Sequence, residues 1–180
     1  MSSYRRANVA GGSYFFTVVT ERRQRILTDD ALRLALREAI TKVRLERPFQ
    51  IDGWVLLPDH LHAIWTLPEG DTDFSTRWRL IKSAVTRTVG EIYFRPEWHT
   101  KVRAKKHCGT IWQHRYWEHL IQDADDFRHH MNYLHFNPVR HGLVKNVADW
   151  PYSSFHRLVE QGIYAKDWSG ISLQPIINDA

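Results

Sequence analysis

Apolar and polar residues repeat with two different periods along the chain, and the change of period divides it into strands and helices. Runs of aromatic and β-branched residues bounded by turn residues predict strands. Apolar residues spaced three and four apart predict amphipathic helices between them. The predicted strands cover residues 13–20, 49–57, 60–67 and about 116–121. The predicted helices run from Thr28 to the break at Pro48, from Phe74 to Gly90, from Asp123 to about Asn137 before Pro138, and from about Phe155 to Val159.

The order of these elements is strand, helix, strand, strand, helix, strand, helix, which is a split βαβ arrangement with one added helix. It predicts an α/β (α+β) fold with an antiparallel sheet and helices packed on one face. We expect a single domain over residues 1–180 with its core at about 13–144. A basic stretch without a clear period, about 91–109, predicts an insertion, and about 145–180 forms a C-terminal tail.

The charge is distributed unevenly along the chain. The net charge is +5, but residues 77–119 hold ten Lys/Arg and three Asp/Glu, a net of +7, so the other residues sum to −2. The same stretch is rich in tryptophan and tyrosine. Basic and aromatic residues together suit a polyanion whose bases can stack, such as a nucleic acid. A solvated basic face above core aromatics is the alternative.

The composition also excludes several classes of protein. Apolar residues make up 43% of the chain, which favours a folded core over disorder. The single cysteine, Cys108, cannot build a disulfide framework or a cysteine zinc site. No apolar run approaches the roughly 20 residues of a membrane span, and no apolar signal region follows the basic N-terminus. We therefore expect a cytoplasmic protein.

Two histidines open the third predicted strand. His60 and His62 follow the turn signal Pro58-Asp59 and are separated by one apolar residue, Leu61. Residues two apart on a strand point to the same face, so the two imidazoles can share one cation while Leu61 points away. An incidental pair of histidines is the competing interpretation.

A tyrosine and an asparagine share one face of the last long helix. Tyr133 and Asn137 are four residues apart, which places them one turn from each other. A phenol can act as a covalent nucleophile and an amide oxygen is a hard metal ligand. Alternatively, Tyr133 is a core aromatic and Asn137 caps a helix that ends before Pro138.

Taken together, the two pairs suggest phosphoryl chemistry. A cation held by His60, His62 and Asn137 keeps open positions for a phosphate oxygen and neutralises the charge that develops on it. Tyrosine has a pKa of about 10 in water, so a nearby cation is needed to favour its phenolate. Imidazole, amide and phosphate ligands together suit Mg²⁺ or Mn²⁺ better than zinc.

Four further residues are candidates for supporting roles near this site. Asp59 and Glu118 could hydrogen-bond the outer nitrogen of His60 or His62 and orient the ring. His119 and His130 could transfer a proton, and His130 lies three residues before Tyr133 on the same helix. Turn, surface and packing roles are the alternatives for all four.

Longer segments of the chain resemble one family. The matching segments are YRR at 4–6, YFFT at 14–17, PDHLH at 58–62, YWEH at 116–119, DF at 126–127, YLHFNPVRHGLV at 133–144 and WPYSS at 150–154. They resemble the REP-associated tyrosine transposases, a branch of the single-tyrosine HUH transposases, over about residues 4–157. Leu134, Phe136 and Arg140 depart mildly from the family pattern, and none of them is a proposed ligand.

The resemblance implies a ferredoxin-like core with His60 and His62 on a central strand. It implies that Tyr133 is the nucleophile and that Asn137 is the third metal ligand. The implied substrate is single-stranded or hairpin DNA from repetitive extragenic palindromes, which is cut and rejoined through a covalent 5′-phosphotyrosine. It also favours a monomer over a dimer.

Five basic residues are expected to contact the DNA: Arg5, Arg6, Lys82, Arg87 and Arg115. Three other functions remain open at this point. The chain could be a DNA-binding regulator that retains the fold without catalysis, a replication initiator or relaxase with the same chemistry, or a metal-dependent hydrolase that uses water. The intact set of His60, His62, Tyr133 and Asn137 argues against the regulator, and a covalent protein–DNA adduct separates the hydrolase from strand transfer.

Overall fold

The structure, a computed structural model, describes residues 9–101 and 109–170. Within these ranges the strands are β1 (Ser13–Val19), β2 (Gln50–Leu56), β3 (His60–Thr66) and β4 (Trp117–Leu120). The helices are α1 (Asp30–Glu46), α2 (Phe74–Tyr93), α3 (Ala124–Arg140) and α4 (Phe155–Glu160). Each predicted strand and helix is present in the predicted order. None of the helices in the described ranges is both long enough and apolar enough to cross a membrane.

The strands form one antiparallel sheet in the order β2-β3-β1-β4. β3 and β1 are therefore central, while β4 pairs with β1 at one edge. The pairing brings distant residues into register, so that Thr17 lies opposite His62 and Phe15 lies opposite His119. This is the split βαβ, ferredoxin-like arrangement, and the predicted mixed α/β fold with an antiparallel sheet is confirmed.

Helices α1 and α2 pack on one face of the sheet. Phe16, Leu61 and Trp65 point to this face and are fully buried against the two helices. The rings of Trp65 and Trp78 stack with their centres 4.1 Å apart, which joins the sheet directly to α2. Burial of such side chains contributes about 1.5–3 kcal/mol each and makes this layer the larger part of the core.

Helix α3 packs on the opposite face. Phe15 and Ile64 point to this face, where they form a second cluster with Met131 and Leu134. The prediction that the helices cover one face is correct for α1 and α2 and wrong for α3. The reason is that the central strands are apolar on both faces, as the fully buried neighbours Phe15 and Phe16 show, so both faces need a covering layer.

Helix α3 continues through Pro138 to Arg140, whereas the sequence predicted an end at Asn137. The proline removes one backbone donor, but the next turn is closed by His141 N–H donating to the Asn137 carbonyl at 3.0 Å. Gly142 follows the end of the helix, and its positive φ of 66° allows a Schellman turn. The extra turn matters because it brings Arg140 and His141 over β3.

The ends of α1 and α2 also differ from the prediction. Asp29, and not Thr28, is the residue that precedes the first turn of α1. Helix α2 passes through Gly90 and ends at Tyr93, because Val89 and Tyr93 are buried and hold the last turn against the core. The Tyr93 hydroxyl donates to the Asp29 carboxylate at 3.1 Å. The predicted insertion therefore begins after Tyr93, and its residues 102–108 lie outside the described ranges.

Candidate active site

His60 and His62 lie at the start of β3 and point to the face that α3 covers. Their ring centres are 5.0 Å apart, and both side chains are buried. Leu61 points to the opposite face, into the core beneath α1 and α2. The prediction that the two imidazoles share one face of a strand is confirmed.

Each imidazole is held through one ring nitrogen. Nδ1 of His60 hydrogen-bonds to Oδ1 of Asp59 at 2.8 Å, and Nδ1 of His62 hydrogen-bonds to Oγ1 of Thr17 at 2.9 Å. Nε2 of His62 is buried and has no hydrogen-bond partner among the described residues. A ring fixed through Nδ1 presents Nε2 in a defined direction, which is the usual support for a metal-ligating histidine.

The electrostatics of His62 and Asp59 favour metal binding. Burial, together with the neighbouring His60 and His141, holds the pKa of the His62 imidazole well below its ordinary value. His62 is therefore neutral at pH 7, which is the form that binds a cation. Burial alone would raise the pKa of Asp59, but the hydrogen bonds and charges of His60 and Arg23 outweigh it and lower that pKa to about 2.

Helix α3 places Tyr133 against the histidines. The Tyr133 ring is buried, and its centre lies 5.4 Å from that of His62. Two turns later, the His141 ring lies 5.1 Å from the His60 ring. Asn137 lies one helical turn after Tyr133 and one turn before His141. It therefore shares the face of α3 that packs against β3.

Asn137 is fully buried, and neither Oδ1 nor Nδ2 of its amide has a hydrogen-bond partner among the described residues. A buried amide without a partner costs about 1–3 kcal/mol, so native proteins rarely keep one without a reason. An amide oxygen and the free Nε2 of His62 on the same face are the donors that a divalent cation requires. The residues present therefore fit a metal ion held by His60, His62 and Asn137.

Three residues near the tyrosine were not assigned roles from the sequence. The guanidinium carbon of Arg140 lies 5.4 Å from the centre of the Tyr133 ring. His141 contacts His60, and Thr17 hydrogen-bonds His62. The four-residue spacing from Asn137 to His141 is a local signal that could have identified His141, whereas Thr17 depends on the pairing of β1 with β3.

Comparison with known proteins is consistent with this geometry. Residues 8–137 match the family described as IS200-like transposases, a span that contains both histidines, the tyrosine and the asparagine. A REP-associated tyrosine transposase of Escherichia coli K12 is 48% identical over 171 residues, which cover 94% of this chain and 92% of the relative. The chain belongs to the IS200-like transposases, in their REP-associated branch.

Two further similarities support the membership. A relative from Haemophilus influenzae is 41% identical over 170 residues, which are 94% of each chain. A solved structure of a REP-associated tyrosine transposase bound to a REP hairpin has a TM-score of 0.83 and 46% identity, and the match covers 100% of this chain and 98% of that one. The chain is therefore a DNA transposase, and HUH transposases depend on a divalent metal ion.

The predicted supporting residues of this transposase are divided between the two faces. Asp59 is confirmed as a hydrogen-bond partner of His60. Glu118 lies opposite Phe16 in the β1–β4 pairing and so shares its face, towards α1 and α2. It cannot be a direct partner of His60 or His62, and that expectation is wrong. His119 and His130 lie on the α3 face, where both interact with the carboxylate of Asp126.

The predicted DNA contacts of the transposase are also scattered. Arg5 and Arg6 lie outside the described residues. Lys82 and Arg87 belong to α2, across the sheet from Tyr133; the Lys82 ammonium donates to the Gln113 carbonyl and the Arg87 guanidinium donates to Ser83. Arg115 is exposed immediately before β4. Contact of these residues with DNA stays a prediction.

A second basic surface was missed from the sequence. A groove of about 1060 Å³ runs between α1, β2 and the segment around α4. The arginines that line it are Arg33, Arg37, Arg44 and Arg157. Three of these arginines lie close together in sequence on α1, but the excess of positive charge along the chain pointed to residues 77–119 instead. Arg157 joins the other three only through the fold.

Proposed function

We propose that the chain cuts and rejoins single-stranded or hairpin DNA, with Tyr133 as the nucleophile. The observation that carries the proposal is the packing of the Tyr133 ring against His62, beside the buried Asn137 amide, which has no hydrogen-bond partner among the described residues. The solved relative bound to a REP hairpin supports hairpins of repetitive extragenic palindromes as the substrate.

We assign His60, His62 and Asn137 as the ligands of a divalent cation, and we propose Mg²⁺ or Mn²⁺. The cation would polarise the scissile phosphate and neutralise the charge that develops on its oxygens. Asp59 and Thr17 fix the two imidazole rings through Nδ1, so that the ligand directions are set before DNA binds.

The covalent step is a phosphoryl transfer to tyrosine. The phenolic oxygen of Tyr133 attacks phosphorus, loses its proton, and forms a 5′-phosphotyrosine ester. The bond from phosphorus to the 3′-oxygen breaks, and that oxygen takes up a proton to leave a 3′-hydroxyl. One phosphoester replaces another, so attack by a 3′-hydroxyl can reverse the step and rejoin DNA. The Arg140 guanidinium beside the ring stabilises negative charge on the phenolate.

A single chain supplies the whole of this constellation. Tyr133, both histidines and Asn137 come from β3 and α3 of one copy, and the contact between Tyr133 and His62 is made within that copy. The proposed chemistry therefore needs no tyrosine from a second copy, which supports a monomer.

The test is incubation with an end-labelled REP-type hairpin and Mn²⁺, followed by a denaturing gel. The parent chain should form a covalent adduct and a shortened strand. Tyr133→Phe keeps the ring and removes only the oxygen, so it should bind the hairpin as the parent does and form neither product. Cleavage without an adduct would indicate a hydrolase, and binding without cleavage by the parent would indicate a regulator.

A further inference from the structure

A second group of potential metal ligands lies on the α3 face, beside the candidate active site. Its members are His119 on β4 and the pair Asp126 and His130 on α3. The Phe15 ring contacts both groups, because its centre lies 5.2 Å from that of His62 and 4.8 Å from that of His130. The second group shares no residue with His60, His62 and Asn137.

The three side chains converge on one carboxylate. Nε2 of His119 is 2.8 Å from Oδ2 of Asp126, and Nδ1 of His130 is 2.9 Å from Oδ1. The two imidazole rings lie nearly parallel, with their centres 4.5 Å apart. One ligand atom from each residue lies within 4.8 Å of the others, although β4 and α3 are different elements. Nδ1 of His130 also hydrogen-bonds to the backbone carbonyl oxygen of Asp126 at 2.9 Å.

The protonation states of Asp126 and His130 are compatible with a cation. Burial lowers the pKa of His130, so its imidazole is neutral at pH 7. Burial would raise the pKa of Asp126, but hydrogen bonds from His119 and from the Gln122 backbone outweigh it and lower that pKa. An ionised carboxylate and a neutral imidazole are the forms in which these residues bind metals.

We propose that His119, Asp126 and His130 bind a divalent transition-metal ion of the zinc class. Two imidazoles and one carboxylate leave a position for water and favour zinc over magnesium, which prefers oxygen ligands alone. The side chains of His119 and Asp126 are 32% and 20% exposed, so an ion can enter from solvent.

Such an ion would tie the edge strand to the helix that carries the nucleophile. Asp126 lies in the first turn of α3, and His130 lies one turn later, three residues before Tyr133. A metal that links β4 to these turns would fix the position of α3 relative to the sheet. The alternative is a clamp made of hydrogen bonds alone, in which Asp126 is shared by two histidines without a metal.

Zinc binding to the full chain distinguishes the metal site from the clamp made of hydrogen bonds alone. The candidate active site is first silenced by His60→Ala and His62→Ala, and bound metal is removed with a chelator. Calorimetric titration with ZnCl₂ should then show one tight site per chain. Adding His119→Ala and His130→Ala should abolish that site, whereas His129→Ala, an exposed neighbour on the same helix, should retain it.

A cobalt absorption measurement tests the site without the His119→Ala and His130→Ala substitutions, which could prevent folding. Co²⁺ added to the folded His60→Ala, His62→Ala chain should give visible d–d absorption, and Asp126→Asn should reduce it. Absence of a tight zinc site and of a cobalt spectrum in the folded chain would overturn the proposal and leave the hydrogen-bonded clamp. An unchanged zinc site in the His119→Ala, His130→Ala chain would overturn it as well. Neither result bears on Tyr133, whose role is tested by the DNA adduct.

Discussion

Replacement of Asn137 by leucine tests the metal site through stability, without DNA. Leucine has the same branched shape as asparagine, but it has no polar atoms to leave unpaired. The Asn137 amide is fully buried with neither atom hydrogen-bonded among the described residues, and such a group costs about 1–3 kcal/mol. Asn137→Leu should therefore raise the free energy of unfolding by about that amount when no metal is present.

Bound metal should make the parent chain more stable than Asn137→Leu. An ion that binds only the folded chain stabilises it by about 2.7 kcal/mol when its concentration is 100 times the Kd. The parent chain should gain about this much in excess Mn²⁺, and Asn137→Leu should gain much less because a ligand is missing. Asn137→Asp is the matched control. It buries a charge and should lower stability in chelator, but it keeps a ligand oxygen and should regain stability with Mn²⁺.

The assay is urea unfolding of the three chains, followed by tryptophan fluorescence, in chelator and in excess Mn²⁺. Two results would refute the reasoning in different ways. A leucine variant that is less stable than the parent in chelator would mean that the amide makes stabilising contacts within the fold. A leucine variant that Mn²⁺ stabilises as much as the parent would mean that Asn137 is not a ligand.

Three further predictions concern the support of the site. A Cβ at Gly53 would lie 2.5 Å from Sδ of Met131 on α3, so Gly53→Ala should cost about 1–3 kcal/mol of unfolding free energy and slow adduct formation; parent-like values in both assays would contradict the close packing. Burial lowers the pKa of His135 from 6.5 to about 3. Between these two pH values, His135 is protonated in the unfolded chain and neutral in the folded chain. Its contribution to stability is complete above about pH 6.5 and is lost as the pH falls towards 3, by about 2 kcal/mol at about pH 5, and His135→Phe should remove that part of the pH dependence in urea unfolding. The buried guanidinium of Arg77 donates to Asp71 and to backbone carbonyls, so Arg77→Ala should cost about 3–5 kcal/mol in the same measurement.

The sequence by itself determined the parts of the site that depend on local periodicity. His60 and His62 share a face because side chains alternate along a strand, whatever the strand pairs with. Tyr133 and Asn137 share a face because the helix repeats every 3.6 residues. The order of strands and helices followed from the same two periods, and the split βαβ fold followed from that order.

The tertiary structure alone decided how these pieces meet. The apolar pattern shows that a strand is buried on both faces, but it does not show which helix covers which face, and α3 was placed on the wrong side for this reason. Glu118 was expected beside the histidines, yet its pairing opposite Phe16 turns it to the other face. The contact of Tyr133 with His62 and that of His141 with His60 likewise exist only once α3 lies on β3. Such contacts join residues far apart in the chain, and the period of either segment carries no information about the distance between them.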